Sequence, residues 1–116
     1  MDEPIARVTV AREGGGRVVA SVLGDIDLSN AEDVGRELTG AFGSVANVVP
    51  VLDLRQVTYI DSQGVRVLHE LVSSLARTDV ELVIVAPRGS VAGDVMRLTG
   101  IDRLVSIIED PGGSAE

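Results

Sequence analysis

Short apolar runs recur along the chain, separated by stretches in which apolar residues stand three or four positions apart. The runs have the length and the β-branched content typical of strands, and they cover residues 5–10, 18–23, 48–54, 80–86 and 104–108. A Gly-rich turn at residues 12–17 separates the first two runs, which predicts an antiparallel hairpin. Residues 24–27 are expected to end the second strand. Pro50 should lie near the start of the third, because proline cannot donate to a β-ladder.

The stretches between the later runs have the spacing of amphipathic helices. Their predicted buried faces are Ala31, Val34, Leu38, Ala41 and Phe42 in the first, Val65, Leu68, Leu71, Val72 and Leu75 in the second, and Val91, Val95 and Leu98 in the third. Ser29 or Asn30 is a candidate cap for the first helix, and Gly100 fits the left-handed position after the third. The order β-β-α-β-α-β-α-β predicts an α/β fold with a mixed sheet whose later strands are parallel.

Length and composition restrict the class of protein. The 116 residues suit one domain, predicted to cover residues 1–110, with residues 111–116 as a flexible tail. The chain has no Cys, and all ten basic residues are Arg. Disulfides, thiolate zinc sites, P-loops and Schiff-base lysines are therefore excluded. No motif requires a cofactor or a metal.

Charge further limits the partners. The formal net charge is −8 and the isoelectric point is about 4.5. Nucleic acids and anionic membranes are poor partners for such a chain, because binding to them rests on basic residues that neutralise phosphates. No apolar stretch approaches the ~20 residues of a membrane span. A soluble cytoplasmic protein is expected.

Ser62 is the most conspicuous candidate for chemistry, because it follows Asp61 where the second helix begins. A nucleophile would need a base, but His69 is two helical turns away, roughly 10 Å along the axis. A bound phosphate would suit a helix start, but Asp61 and the aspartates of residues 24–27 should gather at the same sheet edge and repel it. A plain helix cap remains open.

A phospho-receiver site is a further alternative, centred on Asp53. Such sites pair an acceptor Asp with other acids and a Lys, and this chain has no Lys. We otherwise expect Asp53 at the end of its strand, bonding a turn over residues 54–56.

Three segments resemble one known family. Residues 53–65 (DLRQVTYIDSQGV), 24–27 (GDID) and 98–104 (LTGIDRL) are similar to the signature segments of STAS domains, the anti-sigma factor antagonists. The resemblance covers about residues 5–108. Family members usually continue into a final helix, which is expected to be absent or vestigial here, since the residues after the last predicted strand read EDPGGSAE.

The resemblance implies a function. Such proteins bind an anti-sigma factor that is also a serine kinase, and this frees the sigma factor. The kinase then phosphorylates the serine that matches Ser62, and a phosphoserine phosphatase reverses the reaction. Asp27 and Asp61 match the acidic positions beside it. The other candidate partner-binding residues are Asp25, Gln63, Gly64, Arg66, Gly89 and Ser90.

Each of these residues also has a plain structural explanation. Asp25 and Asp27 suit a turn, Gln63 and Arg66 suit a solvated helix face, and Ser90 suits a cap. Gly64 would either let a partner backbone approach or simply be tolerated. Two other functions stay open: an accessory STAS subunit of a transporter or stress-sensing complex, and, less in keeping with the residues, a small enzyme using Ser62.

Overall fold

Strands and helices follow one another in the predicted order. The computed structural model describes residues 6–14, 16–43 and 49–110. Within these ranges the elements are β1 (Ala6–Glu13), β2 (Arg17–Ile26), α1 (Ala31–Gly43), β3 (Val49–Ile60), α2 (Ser62–Ala76), β4 (Val83–Val85), α3 (Val91–Thr99), a short 3₁₀ helix (Ile101–Arg103) and β5 (Ser106–Ile108). Ile5, Val48 and the predicted tail at residues 111–116 lie outside the described residues.

The strands form one mixed sheet with the spatial order β1-β2-β3-β4-β5. β1 and β2 are antiparallel, which confirms the predicted hairpin, and every later pair is parallel. Each crossover moves one strand in the same direction, so the right-handed rule places α1, α2 and α3 on the same face of the sheet. Their apolar side chains form one core cluster with alternate residues of the strands, such as Val18, Ala20 and Val22 of β2.

β3 is longer than predicted, and its irregular pairing explains the error. The register with β2 shifts between Asp53 and Gln56 and again between Val57 and Tyr59, so β3 contains one extra residue at each place. Each such bulge leaves two consecutive residues on the solvent side. Apolar residues buried in β3 then recur every third position, at Leu54, Val57 and Ile60. The turn predicted at residues 54–56 is therefore wrong, because those residues belong to a bulged strand.

Other strand ends also differ from the prediction. β2 continues through Gly24 and Asp25 to Ile26, where the sequence suggested a break. Parallel pairing with the extended β3 holds this segment in the sheet. β4 and β5 are only three residues long each, shorter than their apolar runs. Pro50 is the second residue of β3, as predicted.

The buried faces of α1 and α2 largely follow the sequence pattern, whereas that of α3 does not. In α3 the buried residues are Ala92, Gly93 and Met96, while Val91 is 41% exposed and Leu98 is 86% exposed. The helix carries apolar residues on two sides, and the side that holds the small residues Ala92 and Gly93 packs inward together with Met96. A Cβ at Gly93 would lie 2.3 Å from the carbonyl oxygen of Pro87. Gly100 ends α3 with φ +82°, which confirms the left-handed position.

Candidate functional site

Asp61, rather than Ser62, caps α2. Its backbone is extended (φ −96°, ψ −174°), and its Oδ1 accepts hydrogen bonds from the amides of Gln63 at 2.9 Å and Gly64 at 3.0 Å. Ser62 is the first helical residue and is exposed. The interpretation of Ser62 as a cap is therefore wrong. Asp and Ser are about equally good caps, so the sequence could not decide between two neighbours.

The second carboxylate oxygen of Asp61 reaches across to the loop between β2 and α1. Asp61 Oδ2 accepts the amide of Leu28 at 3.0 Å, and the Asp61 amide donates to the carbonyl of Ile26 at 3.1 Å. One carboxylate thus joins the start of α2 to a loop 33 residues earlier in the chain. The convergence of these two loops at the carboxyl ends of β2 and β3 is as predicted.

The β2–α1 loop is held by its own polar side chains. Asp27 Oδ1 accepts from the amide of Ser29 at 3.0 Å and from its hydroxyl at 2.6 Å. Asn30 Oδ1 accepts from the Asp27 amide at 3.0 Å, and Asn30 Nδ2 donates to the carbonyl of Asp25 at 2.9 Å. The side chains proposed as caps for α1 thus bond backward into the loop. They fix the position of Leu28 between them.

Asp25 completes the acidic side of the site. It pairs with Tyr59 in the sheet, and its Oδ1 accepts a hydrogen bond from the Thr58 hydroxyl. Thr58 is the extra residue of the second bulge in β3, so Thr58 and Tyr59 both face solvent. The structure therefore brings Asp25, Asp27 and Asp61 to one edge of the sheet, as the sequence predicted.

Two exposed apolar side chains in this cluster were not predicted from the sequence. Leu28 is 74% exposed and Tyr59 is 51% exposed. Both line a shallow depression that also includes Asp27, Ser29 and Asp61. Leu28 could have been recognised as an exposed apolar residue, because it lies in a polar turn and outside every apolar periodicity. Tyr59 could not be placed without knowing where β3 is bulged.

Among the other candidates in the first turns of α2, Arg66 is accessible and Gly64 is buried. Arg66 is exposed and donates to Gln63 Oε1 at 3.0 Å and to Glu70 Oε2 at 3.0 Å. Gly64 is buried, and a Cβ there would lie 2.9 Å from Ile26 Cγ2 and 3.0 Å from its carbonyl oxygen. The idea that Gly64 admits a partner backbone is corrected: the glycine lets α2 pack on the end of β2.

Gly89 and Ser90 have local structural roles. Ser90 caps α3 by accepting from the Gly93 amide at 3.0 Å, and its hydroxyl donates to the Pro87 carbonyl at 2.5 Å. Gly89 has φ +86°, which favours glycine. β4 ends at Val85, level with Asp53, whereas β3 continues to Ile60. Gly89 and Ser90 therefore follow a strand that ends several residues short of the level of Asp61 in the sheet.

Asp53 is paired with Arg55 and is not at a strand end. It is 8% exposed; its Oδ1 accepts the Arg55 amide at 3.0 Å, and its Oδ2 lies 2.8 Å from Arg55 Nη2. The hydrogen bond with Asp53 is the main cause that raises the pKa of Arg55. Desolvation lowers this pKa, and the negative charges of Asp53 and Asp110 raise it further. The ion pair stabilises the first bulge of β3.

Other groups considered for catalysis lie apart from this cluster. His69 is exposed on α2, as the sequence indicated. Within residues 6–14, 16–43 and 49–110, no three His, Cys, Asp or Glu side chains are grouped as metal ligands would be. Among the helices of the same ranges, none has the length and apolar content needed to cross a bilayer.

Comparison with known proteins places this arrangement in a family. The model of the STAS domain family matches residues 9–112, nearly the whole chain. The chain belongs to the STAS domain family. Its mixed sheet with the helices α1–α3 is the fold of that family.

Solved structures agree with this STAS fold. An anti-sigma factor antagonist from Mycobacterium paratuberculosis has a TM-score of 0.79 at 21% identity, over 96% of this chain and 92% of that one. The Bacillus cell fate determinant SpoIIAA in its phosphorylated form has a TM-score of 0.65 at 14% identity, over 90% and 93%. The murine anion transporter Slc26a9 matches at 0.70 and 18% identity, over 86% of this chain but only 17% of the transporter.

Proposed function

We propose that this STAS domain is an anti-sigma factor antagonist whose partner is an anti-sigma factor with serine kinase activity. Binding frees a sigma factor, phosphorylation of Ser62 ends the binding, and a phosphoserine phosphatase restores it. The observation that carries the proposal is the placement of Ser62: an exposed first residue of α2, next to the capping Asp61 and the acidic loop edge. The similar antagonist structures support it.

Ser62 is accessible to another protein's active site. In the described part of the chain its hydroxyl has no hydrogen-bond partner, because Asp61 makes the capping bonds. A kinase would therefore break no internal bond to engage it. A capping serine would first have to give up its bond to the helix amides.

The capping bonds of Asp61 also decide how a phosphate would act. The amides of Gln63 and Gly64 are already bonded to Asp61 Oδ1, so they are not free for a phosphate on Ser62. The helix dipole favours the phosphate, while the neighbouring carboxylate repels it. These local effects oppose each other, so the switch acts mainly at the interface.

At the interface the modification adds bulk and about −1.5 to −2 charges. A charge that is buried without a partner at a closely fitted interface costs several kcal/mol. A cost of only ~3 kcal/mol lowers affinity roughly a hundredfold. Phosphorylated protein should therefore leave its partner without unfolding.

A second candidate is a binding subunit regulated without phosphorylation. It is favoured by the fold similarity to the part of the murine anion transporter that this chain matches. In that case the same surface would contact a transporter or a stress-sensing complex, and Ser62 would remain unmodified.

The deciding experiment combines purified protein, ATP and each anti-sigma factor kinase of the source genome in turn. With the true partner, the intact mass rises by one phosphate and Ser62→Ala abolishes the rise. Ser74→Ala, which changes another exposed serine of α2, is the matched control and should be phosphorylated normally. No mass change and no binding to any of the kinases would instead favour the second candidate.

A further inference from the structure

Leu28 and Tyr59 are held in exposed positions by the fold. The Leu28 amide donates to Asp61 Oδ2 at 3.0 Å, and Asp27 and Asn30 brace the loop on either side of it. Tyr59 is turned to solvent by the second bulge of β3. An exposed apolar residue alone needs no explanation. Here two of them line one depression, and hydrogen bonds and sheet pairing hold their backbone in place. Little further ordering is therefore needed when a partner binds, which keeps the entropic cost of binding small.

This apolar pair has a negatively charged rim. Asp27 uses Oδ1 for Ser29 and Asp25 uses Oδ1 for Thr58, and in the described part of the chain the Oδ2 atoms of both have no protein partner. The nearby Arg66 is bonded to Gln63 and Glu70 on α2. A complementary surface would therefore present a basic group opposite the two free carboxylate oxygens.

Asp61 connects this surface to Ser62. Its Oδ1 binds the first turn of α2 and its Oδ2 binds the backbone of Leu28. A charge added to the adjacent Ser62 would thus appear at the edge of the same depression. A protein bound over Leu28 and Tyr59 would lie against the modified residue.

We propose that Leu28 and Tyr59 form the apolar centre of the docking surface, and that the partner covers them with an apolar side chain while a basic side chain meets Asp27. The proposal rests on the proposed function, because its partner is the anti-sigma factor. It deepens that function by naming the side chains that supply affinity, as distinct from Ser62, which supplies the switch.

The test measures Kd values between the purified protein and each anti-sigma factor of the source genome. Leu28→Ser and Tyr59→Ser should each weaken the binding seen with the wild type by about tenfold to a hundredfold, the effect of leaving such a side chain uncovered. Tyr59→Phe keeps the ring and should change Kd by less than about threefold. Leu98→Ser removes an equally apolar, 86% exposed leucine from α3 and is the matched control.

The possible results separate the two proposals. Loss of affinity at Leu28 and Tyr59 but not at Leu98 supports the docking surface. Wild-type binding that neither Leu28→Ser nor Tyr59→Ser weakens overturns the surface and leaves the proposed function intact. If the wild type binds none of the anti-sigma factors, both proposals are overturned. Circular dichroism of each variant checks that the fold is unchanged.

Discussion

At the scale of single residues, the carboxylate of Asp61 has more structural consequences than the hydroxyl beside it. Asp61 accepts three backbone hydrogen bonds, two within α2 and one from Leu28. The Ser62 hydroxyl makes none with the described residues, although it stands at the exposed position that a kinase would reach. Stability and the proposed modification are thus divided between adjacent residues, so Ser62 can be changed chemically while Asp61 keeps the helix start in place.

Substitution at this pair tests the division. Asp61→Ala removes the cap and frees the Leu28 amide, so it should lower the free energy of unfolding by about 1–3 kcal/mol. Ser62→Ala should change it by less than about 0.5 kcal/mol. Urea unfolding followed by circular dichroism measures both. An equal or larger loss for Ser62→Ala would mean that Ser62 is the cap after all.

Phosphorylation itself is expected to have a small effect on the isolated protein. The helix N-terminus favours the phosphate by about 0.3–1 kcal/mol, and Asp61 opposes it by a similar amount. The urea midpoint of the phosphorylated protein should stay close to that of the unmodified one. A large loss of helical circular dichroism on phosphorylation would contradict a switch that acts at the interface.

At the scale of elements, close approach determines where the helices sit. α2 starts against the ends of β2 and β3 because Gly64 has no side chain there, and α1 meets α2 where Gly35 faces Val67. α3 packs through Ala92, Gly93 and Met96. Small residues therefore mark the closest contacts, and in α3 Met96 is buried beside them while Val91 and Leu98 remain exposed.

Two glycine substitutions test this packing. Gly64→Ala would place a Cβ 2.8 Å from Ile60 Cγ2 and 2.9 Å from Ile26 Cγ2. We expect it to cost about 1–3 kcal/mol of stability through overpacking. Gly40→Ala in α1 meets nothing within 4 Å and should stabilise by up to about 1 kcal/mol through helix propensity. Thermal unfolding should therefore show shifts of opposite sign.

The orientation of α3 can be tested in the same way. Met96 is 0% exposed and Leu98 is 86% exposed. Met96→Ala should destabilise by about 2–5 kcal/mol by leaving a cavity, whereas Leu98→Ala should stay within about 0.5 kcal/mol. If the predicted face of Val91, Val95 and Leu98 packed inward, Leu98→Ala would be more destabilising than Met96→Ala.

At the scale of the whole molecule, one core cluster connects the helices with alternate residues of the sheet. It contains apolar residues of α1, α2, α3 and strands β2, β3 and β4. A smaller cluster of Val19, Val51 and Val85 lies on the other face. A helix removed from the larger cluster would expose apolar surface on the other elements, so the elements are expected to depend on one another.

This connection predicts a single cooperative unfolding transition. Circular dichroism at 222 nm and amide hydrogen exchange of β3 should report the same urea midpoint, as in a two-state domain. Separate midpoints for the β1–β2 hairpin and for the rest would show that the chain is not one domain. The prediction of one domain over residues 1–110 would then fail.

The sequence by itself determined the element order, the hairpin, the parallel pairing of the later strands and the faces of α1 and α2. These features depend on hydrophobic periodicity, which is a local property of the chain. The sequence also predicted that Asp25, Asp27 and Asp61 would meet, because loops after neighbouring parallel strands share one edge. The resemblance of three segments, residues 24–27, 53–65 and 98–104, indicated the family that the family model later confirmed.

Only the tertiary structure decided the details of the site. Asp and Ser are equally common helix caps, so the sequence could not decide between Asp61 and Ser62. The structure decides it, because the Asp61 carboxylate reaches the free amides of α2 and the Ser62 hydroxyl does not. The bulges of β3 arise from its pairing with β2, so no local pattern could place Tyr59 in solvent. Leu28 became part of the site because a residue 33 positions later holds its amide. Periodicity records which residues avoid water, but contacts between distant segments decide which of the remaining residues lie together.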